Sequence, residues 1–282
     1  MNLKEYLNDY FKNNNIKEDN NDYIYRIICY YFNIKRSEAI LKLNDRINEE
    51  EFNKLKIILD KIYIENVPIE YIINLKRIYN EDYFVNENVL IPREDTEILI
   101  NTSIEYIQKY KLKKMLDMCT GSGCVGISIC NNSCIKNAVL CDISANALDV
   151  ANINIKKNNC QKAITCKSNL FNDIAKNEKF DIIVSNPPYI KTDVIKNLDK
   201  SVLKEPIIAL DGGIDGLFFY NKILNDSQKY LNDNGFLIFE IGYDQKEELI
   251  CLISKYKSFE YIESVKDLAN NDRVIVCRFH QM

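Results

Sequence analysis

Asn186-Pro187-Pro188-Tyr189 is the stretch whose residue types and order could do the most chemistry. Two successive prolines fix the backbone and remove two N–H donors, leaving carbonyls that only accept hydrogen bonds. The Asn186 side-chain oxygen and the Pro187 carbonyl then form an acceptor pair that can be aimed at both hydrogens of a planar NH2 group. That grip opposes the conjugation that withdraws the nitrogen lone pair and prepares the nitrogen for an in-line displacement. Tyr189 is expected to cover the planar face of the target and to border a cationic centre, where ring electrons favour positive charge. Rate enhancement would come from positioning and desolvation, with no His or Cys nucleophile required.

A second constellation lies upstream. KKMLDMCTGSGCVGISIC, residues 113–130, reads as a buried strand, a Gly-rich turn and an apolar helix. Gly121 and Gly123 let backbone approach a ligand, and Gly126 allows a helix to pack closely on a sheet. Nicotinamide, flavin and S-adenosylmethionine enzymes all use such a turn. The next apolar run, AVLCDI, brings Asp142 to the place 25 residues after Asp117 where a carboxylate accepts both ribose hydroxyl hydrogens. Together they indicate a nucleoside. Asp117 at the turn entrance would repel a pyrophosphate but attract an amino group, which favours a methyl donor with an amino-acid tail.

These residues need a frame to hold them. The chain has 282 residues, 46% hydrophobic and 28% charged, enough to bury a sizeable core. Its formal net charge of −4 gives no global field to draw a polyanion. No stretch is apolar for the roughly 18 to 20 residues that a membrane span needs, and the amino-terminal residues show no apolar signal core. Soluble, cytoplasmic residence is expected. The ten cysteines lie mostly within apolar runs, there is no CxxC pair, and the single His is His280. Reduced core thiols are expected, with no metal site.

None of the eight glycines precedes Gly121, which divides the chain into a glycine-free front and a glycine-bearing back. Over residues 2–64 apolar positions recur at helical spacing, as in Tyr23, Ile27, Tyr30, Tyr31 and Phe52, Leu55, Leu59, Ile62, predicting a small helical bundle. Ser37 and Asn48 are read as helix starts. Residues 67–91 read as a β-hairpin linker, and Pro92 is expected to open a helix carrying Thr96, Leu99 and Ile107. Beyond Lys113 short apolar runs alternate with helical segments, which argues a doubly wound α/β sheet. The expected domains are residues 1–66, 67–91 and 92–282.

The whole series of motifs resembles the HemK/PrmC family, the protein-(glutamine-N5) methyltransferases that act on peptide chain release factors. It comprises VLIPREDTE (89–97), LDMCTGSGCVGISI (116–129), CDISANALDVA (141–151), FDIIVSNPPYI (180–190), EPIIALDGGIDGLFFY (205–220), EIGYDQ (240–245) and VKDLANNDRVIV (265–276). The resemblance implies a seven-stranded, Rossmann-like class I methyltransferase domain preceded by a helical domain that helps recognise the release factor. It implies S-adenosylmethionine as donor, S-adenosylhomocysteine as product, and methylation of the Gln of a Gly-Gly-Gln motif in class I release factors. A monomer with no membrane or direct nucleic-acid contact is expected. Beside Asp117, read above from its charge, the resemblance carries the donor contacts to Cys119, Thr120, Gly121, Ser122, Gly123, Asp142, Asn169 and Leu170, with Asn186 expected to be shared. It carries the substrate contacts to Asn186, Pro187, Pro188 and Tyr189, with Arg93 and Thr96 beside them.

Three positions depart from the family pattern: Cys119 and Asn74 stand where Gly is usual, and Asn169 where Asp is common. None removes a group needed for transfer. An N6-adenine methyltransferase would use the same acceptor pair but should carry a basic stripe, and only scattered lysines such as Lys111, Lys113 and Lys114 are present. A docking module without activity would expect damage at Asn186 or Tyr189. A dehydrogenase lacks any hydride-transfer constellation.

Overall fold

Apolar runs bounded by turn residues fold as parallel strands only if both faces are covered, and that requirement organises most of the chain. The computed structural model describes residues 1–17 and 21–282, which divide into two units: residues 1–74 with 200–204, and residues 75–199 with 205–282.

The smaller unit holds α1 (Leu3–Asn13), α2 (Asn21–Phe32), α3 (Arg36–Lys42), α4 (Glu49–Tyr63) and α5 (Ile69–Ile73). Leu3, Leu7, Phe11, Ile27, Leu55 and Leu59 close its core. Burying each such side chain stabilises the bundle by about 1.5–3 kcal/mol. Of the apolar positions on α2, Ile27 is buried while Tyr23 and Tyr30 stay exposed. Asn48 caps α4 as expected, accepting from Glu51 N at 2.8 Å. Ser37 is not a cap. Glu38 reaches back to Lys35 N at 2.7 Å and satisfies that donor, so α3 starts at Arg36.

The larger unit begins with a hairpin of β1 (Lys76–Ile78) and β2 (Glu81–Tyr83), shorter than the 67–91 expected because α5 takes its first residues. Nor does Pro92 open a helix. Glu205 accepts from Ile91 N at 2.9 Å and pairs with Arg93, which keeps this segment out of the helix, and α6 (Thr96–Tyr110) starts four residues later. There follow β3 (Lys114–Met118), α7 (Cys124–Asn132), β4 (Asn137–Asp142), α8 (Ala145–Lys157), β5 (Ala163–Lys167), β6 (Phe180–Ser185) and α9 (Thr192–Ile195). The unit ends with α10 (Phe218–Ser227), β7 (Leu231–Glu240), α11 (Lys246–Ile253), β8 (Phe259–Lys266) and β9 (Asp272–Phe279).

The seven-stranded sheet has the order β5-β4-β3-β6-β7-β9-β8, with β9 antiparallel to both its neighbours and the other pairs parallel. Alternate side chains feed two cores. One joins Met115, Ile182, Val184 and Ile238 to α6 and α7; the other joins Leu116, Ile183, Leu237 and Phe239 to α10 and α11. From β3 the chain winds outward to β5, then returns to lay β6 on the other side of β3. That reversal leaves a crevice beyond the carboxyl ends of β3 and β6, the position where ligands bind in open α/β sheets.

Candidate active site

The register of β3 and β6 sets the site. Met118 pairs with Ser185 as the last residue of each strand, and Ser185 Oγ donates to Met118 O at 2.7 Å. The Gly-rich turn and the Asn186 corner thus leave adjacent strands at one level. Met118 also pairs with Cys141 on β4, so Asp142 emerges beside them.

Backbone bonds lock the turn. Thr120 N donates to Cys141 O at 3.0 Å, Gly121 N to Asp142 Oδ2 at 2.9 Å, and Ser144 N to Asp142 Oδ1 at 2.9 Å. Each Asp142 oxygen takes one backbone donor and keeps a lone pair for another. Asn154, fully buried on α8, holds the far side: Nδ2 donates to Ser122 O at 2.8 Å and Phe84 O at 2.9 Å, while Oδ1 accepts from Phe84 N at 2.6 Å. No sequence motif pointed to Asn154, because its partners are all backbone groups distant in the chain.

Cys119 has φ 63°, a left-handed conformation where a side chain costs about 1–2 kcal/mol. Asn74 has φ 52° and pays less, because Asn tolerates that region. Gly123 meets a backbone and packing demand as well. It lies outside the cavity wall, and a Cβ there would meet Ile127, Ala151 and Leu140 at 3.0–3.4 Å, so it is needed for φ 83° and packing. Gly126 allows close packing as expected, since a Cβ would come within 2.8 Å of Asp117 Oδ2.

A cavity of about 440 Å³ occupies the crevice, within the roughly 300–1,000 Å³ of small-molecule sites. The 117–122 turn, Asp142, Asn169, Leu170, Thr96, Asn186 and Pro188 all line it. Pro187, Tyr189 and Arg93 do not. Tyr189 is packed against the α10–α11 core, its hydroxyl pKa raised chiefly by burial, with Glu240 adding to the rise. Its ring therefore does not line the cavity in this structure and lies against that core instead. Arg93 is taken by Glu205, whose following residues Pro206, Ile208 and Ala209 also line the cavity, as do Asn88 to Leu90. Both of these loops fall inside recognised motifs, yet apolar loop residues carry no chemical signature of their own.

The Asn186 corner is braced from behind. Gly212 lies so close that a Cβ would stand 2.6 Å from Tyr189 Cα and 2.9 Å from Pro188 O. Gln245 Nε2 donates to Tyr189 O at 3.1 Å and Gly216 O at 3.2 Å, while its Oε1 accepts from Gly242 N at 2.9 Å.

Two buried carboxyls stand near the cavity. Asp117 is 1% exposed; Oδ2 accepts from Thr120 Oγ1 at 2.5 Å and Gly126 N at 2.9 Å, but Oδ1 has no partner. Burial pushes its pKa up to about 7, partly offset by those two donors, and Asp142 adds to the rise. Glu240, at the end of β7, is likewise pushed up to about 7 by burial. Asp142 is raised as well, again by burial, against the pull of its backbone donors. Asp117 lines the cavity and carries an unpartnered buried acceptor; such an acceptor calls for a donor, and an ammonium group on a ligand would supply one.

Comparison with known proteins agrees with this geometry. The Methyltransferase small domain family matches residues 95–213. A release factor glutamine methyltransferase from Clostridium acetobutylicum is 38% identical over 269 residues, covering 93% of each chain. Another of that name, from Clostridium botulinum, is 41% identical over 236 residues, covering 82% of each. Among solved structures, a methyltransferase from Pyrococcus furiosus shares the fold at a TM-score of 0.51 and 15% identity, covering 82% of this chain and 99% of that one. With relatives of this identity spanning nearly its whole length, the chain belongs to the release factor glutamine methyltransferase family.

Proposed function

We propose that this protein transfers a methyl group from S-adenosylmethionine to the side-chain amide nitrogen of the Gln in the Gly-Gly-Gln motif of class I release factors. The observation that carries the reading is the shared level of the Gly-rich turn and the Asn186 corner, fixed by the Met118–Ser185 pair. When bound, the donor supplies an activated methyl group. Asp117 Oδ1 would take its amino group, Asp142 its ribose hydroxyls, and the 119–123 turn, Asn169 and Leu170 the remaining surface.

On the other side, Asn186 Oδ1 and the Pro187 carbonyl would accept the two hydrogens of the glutamine amide and hold its nitrogen toward the donor. Pro188 would wall the amide. Thr96 lines the same space, while Arg93 would act through Glu205, which anchors the 205–209 loop. Tyr189 would need to rotate from its packed position to cover the amide. The helical unit of residues 1–66 would recognise the release factor, 67–91 would link, and 92–282 would carry the reaction. The protein would work in the cytoplasm as a monomer without contacting nucleic acid. No helix among the described residues is long and apolar enough to cross a membrane.

Labelled donor and purified release factors, with the modified residue located by mass spectrometry, test this reading. Label on the Gln of Gly-Gly-Gln is expected; label on another residue, or none, overturns it.

Two further outcomes follow. Asp142→Ala weakens donor binding by about 1.5–3 kcal/mol, the scale of hydrogen bonds to a charged group; unchanged binding by calorimetry would remove Asp142 from the site. Asp117 gives donor binding a pH dependence. Its raised pKa means the free protein holds the proton below about pH 7, whereas an ammonium partner favours the carboxylate. Binding at pH 6 therefore releases a proton, and affinity rises with pH until about 7 and then levels. Calorimetry in buffers of different ionisation enthalpy reads that proton. Asp117→Asn should release none, and equal release by both proteins would refute the pairing.

A further inference from the structure

Glu240 is a buried acid that the transfer as described does not use. The β6–β7 register ends by pairing Ser185 with Phe239, so Asn186, the first residue after β6, leaves the sheet beside Glu240, the last residue of β7. Strand side chains alternate, which places Glu240 on the face of Ile238 and Asn186 on the face of Val184. Ile238 and Val184 belong to one core, so the two polar side chains point the same way at the sheet's edge. Glu240 is 2% exposed and its Oε2 has no hydrogen-bond partner. The Asn186 side chain stands near enough to favour the charged carboxyl, and no formed hydrogen bond joins the two in this structure. Asn186 also lines the cavity, so its amide lies between a buried carboxyl and the space open to a ligand.

We propose that Glu240 is a positioning residue: its carboxylate accepts from Asn186 Nδ2 and so fixes the amide with Oδ1 toward the substrate. This rests on the assignment of Asn186 as the acceptor for the glutamine amide. An ionised carboxylate only accepts, so it can hold only the Nδ2 end. A protonated Glu240 offers an O–H instead, which the Asn186 oxygen can accept. The amide then turns over and presents N–H to the substrate N–H, a donor facing a donor.

The neighbours make that proton exchange accessible near neutrality. Burial raises the pKa of Glu240 to about 7, Asp95 adds to the rise, and Thr96, Arg273 and Asn186 oppose it. Arg273 is itself held by Asp95 at 3.1 Å and Asp267 at 3.0 Å. Tyr189, Tyr220 and Cys124 also face Glu240, and all three have raised pKa values and stay neutral in this range. Asp117 titrates in the same range, but saturating donor would hold it ionised.

The test measures kcat at saturating donor and acceptor from pH 6 to pH 8 for the wild type and Glu240→Gln. It also follows the Asn186 side-chain NH2 resonances of the free protein, assigned with Asn186→Asp, in the wild type and in Asp117→Asn, which removes the other group that titrates near pH 7. For a group of pKa about 7 the ionised fraction, and with it wild-type kcat, rises about tenfold from pH 6 to pH 8. Glu240→Gln, whose amide can hold Asn186 in either sense, should be slower and flat with pH. The Asn186 resonances should shift with a midpoint near pH 7 in the wild type and in Asp117→Asn. Equal slopes in the wild type and Glu240→Gln, or resonances that do not move between pH 6 and pH 8, overturn the proposal. If the wild type methylates no glutamine, the functional reading fails, while the resonance titration still decides the role of Glu240 without any variant having to turn over.

Discussion

Asn186→Ala should lose turnover by roughly 10²–10³-fold while binding the methyl donor nearly as well as the wild type. The magnitude is that of removing one preorganised polar group from a reacting centre. The selectivity follows from position. Asn186 is supplied by β6, whereas the groups assigned to the donor come from the 117–122 turn, Asp142 and the 169–170 segment. Removing the amide takes one of two acceptors from the target nitrogen and leaves Asp117, Asp142 and the turn in place. Single-turnover kinetics and calorimetry on the same preparation separate the two effects. Retained methylation, or loss of donor binding in step with turnover, would contradict the role assigned to Asn186.

Gly212→Ala comes second and acts without touching any ligand. The new Cβ would stand 2.6 Å from Tyr189 Cα, 2.7 Å from Tyr189 C and 2.9 Å from Pro188 O. These are backbone atoms that no rotamer change can clear, so either the 210–213 segment or the Asn186 corner must move. A displacement of about 1 Å in a positioning element costs on the order of 100-fold in rate, and overpacking costs about 1–3 kcal/mol of stability. Both should appear, as a lower kcat and a lower melting temperature, with donor affinity little changed. An Ala variant with wild-type kcat would show that the corner need not be held so closely.

The sequence announced the two loops more clearly than the parts that brace them. Strands such as 180–185 are legible because short apolar runs bounded by turns leave few options. Gly121 and Asp142 are legible because a nucleoside site demands those types at that spacing. Asn154, Gln245 and Glu205 were not. Each works by bonding backbone that lies 29 to 114 residues away, a relation that exists only after folding. Helix starts were misjudged for a related reason. At Ser37 the capping instinct of Ser was overridden by Glu38 reaching back, and at Pro92 by Glu205 holding Arg93 and the Ile91 N–H. At Gly123 ligand approach is the legible demand, and the packing against Ile127, Ala151 and Leu140 is one that only the fold shows. Glycine reports that a side chain is unwelcome, and only packing tells what would object.

The crystal structure of a complex with S-adenosylhomocysteine and a Gly-Gly-Gln peptide tests the account most directly. The glutamine side-chain nitrogen should lie within hydrogen-bond reach of both Asn186 Oδ1 and the Pro187 carbonyl, with the donor sulfur on its open face and Asp117 Oδ1 on the donor's amino group. A glutamine seated elsewhere, or an Asn186 corner turned from the sulfur and filled only by packing contacts, would contradict it.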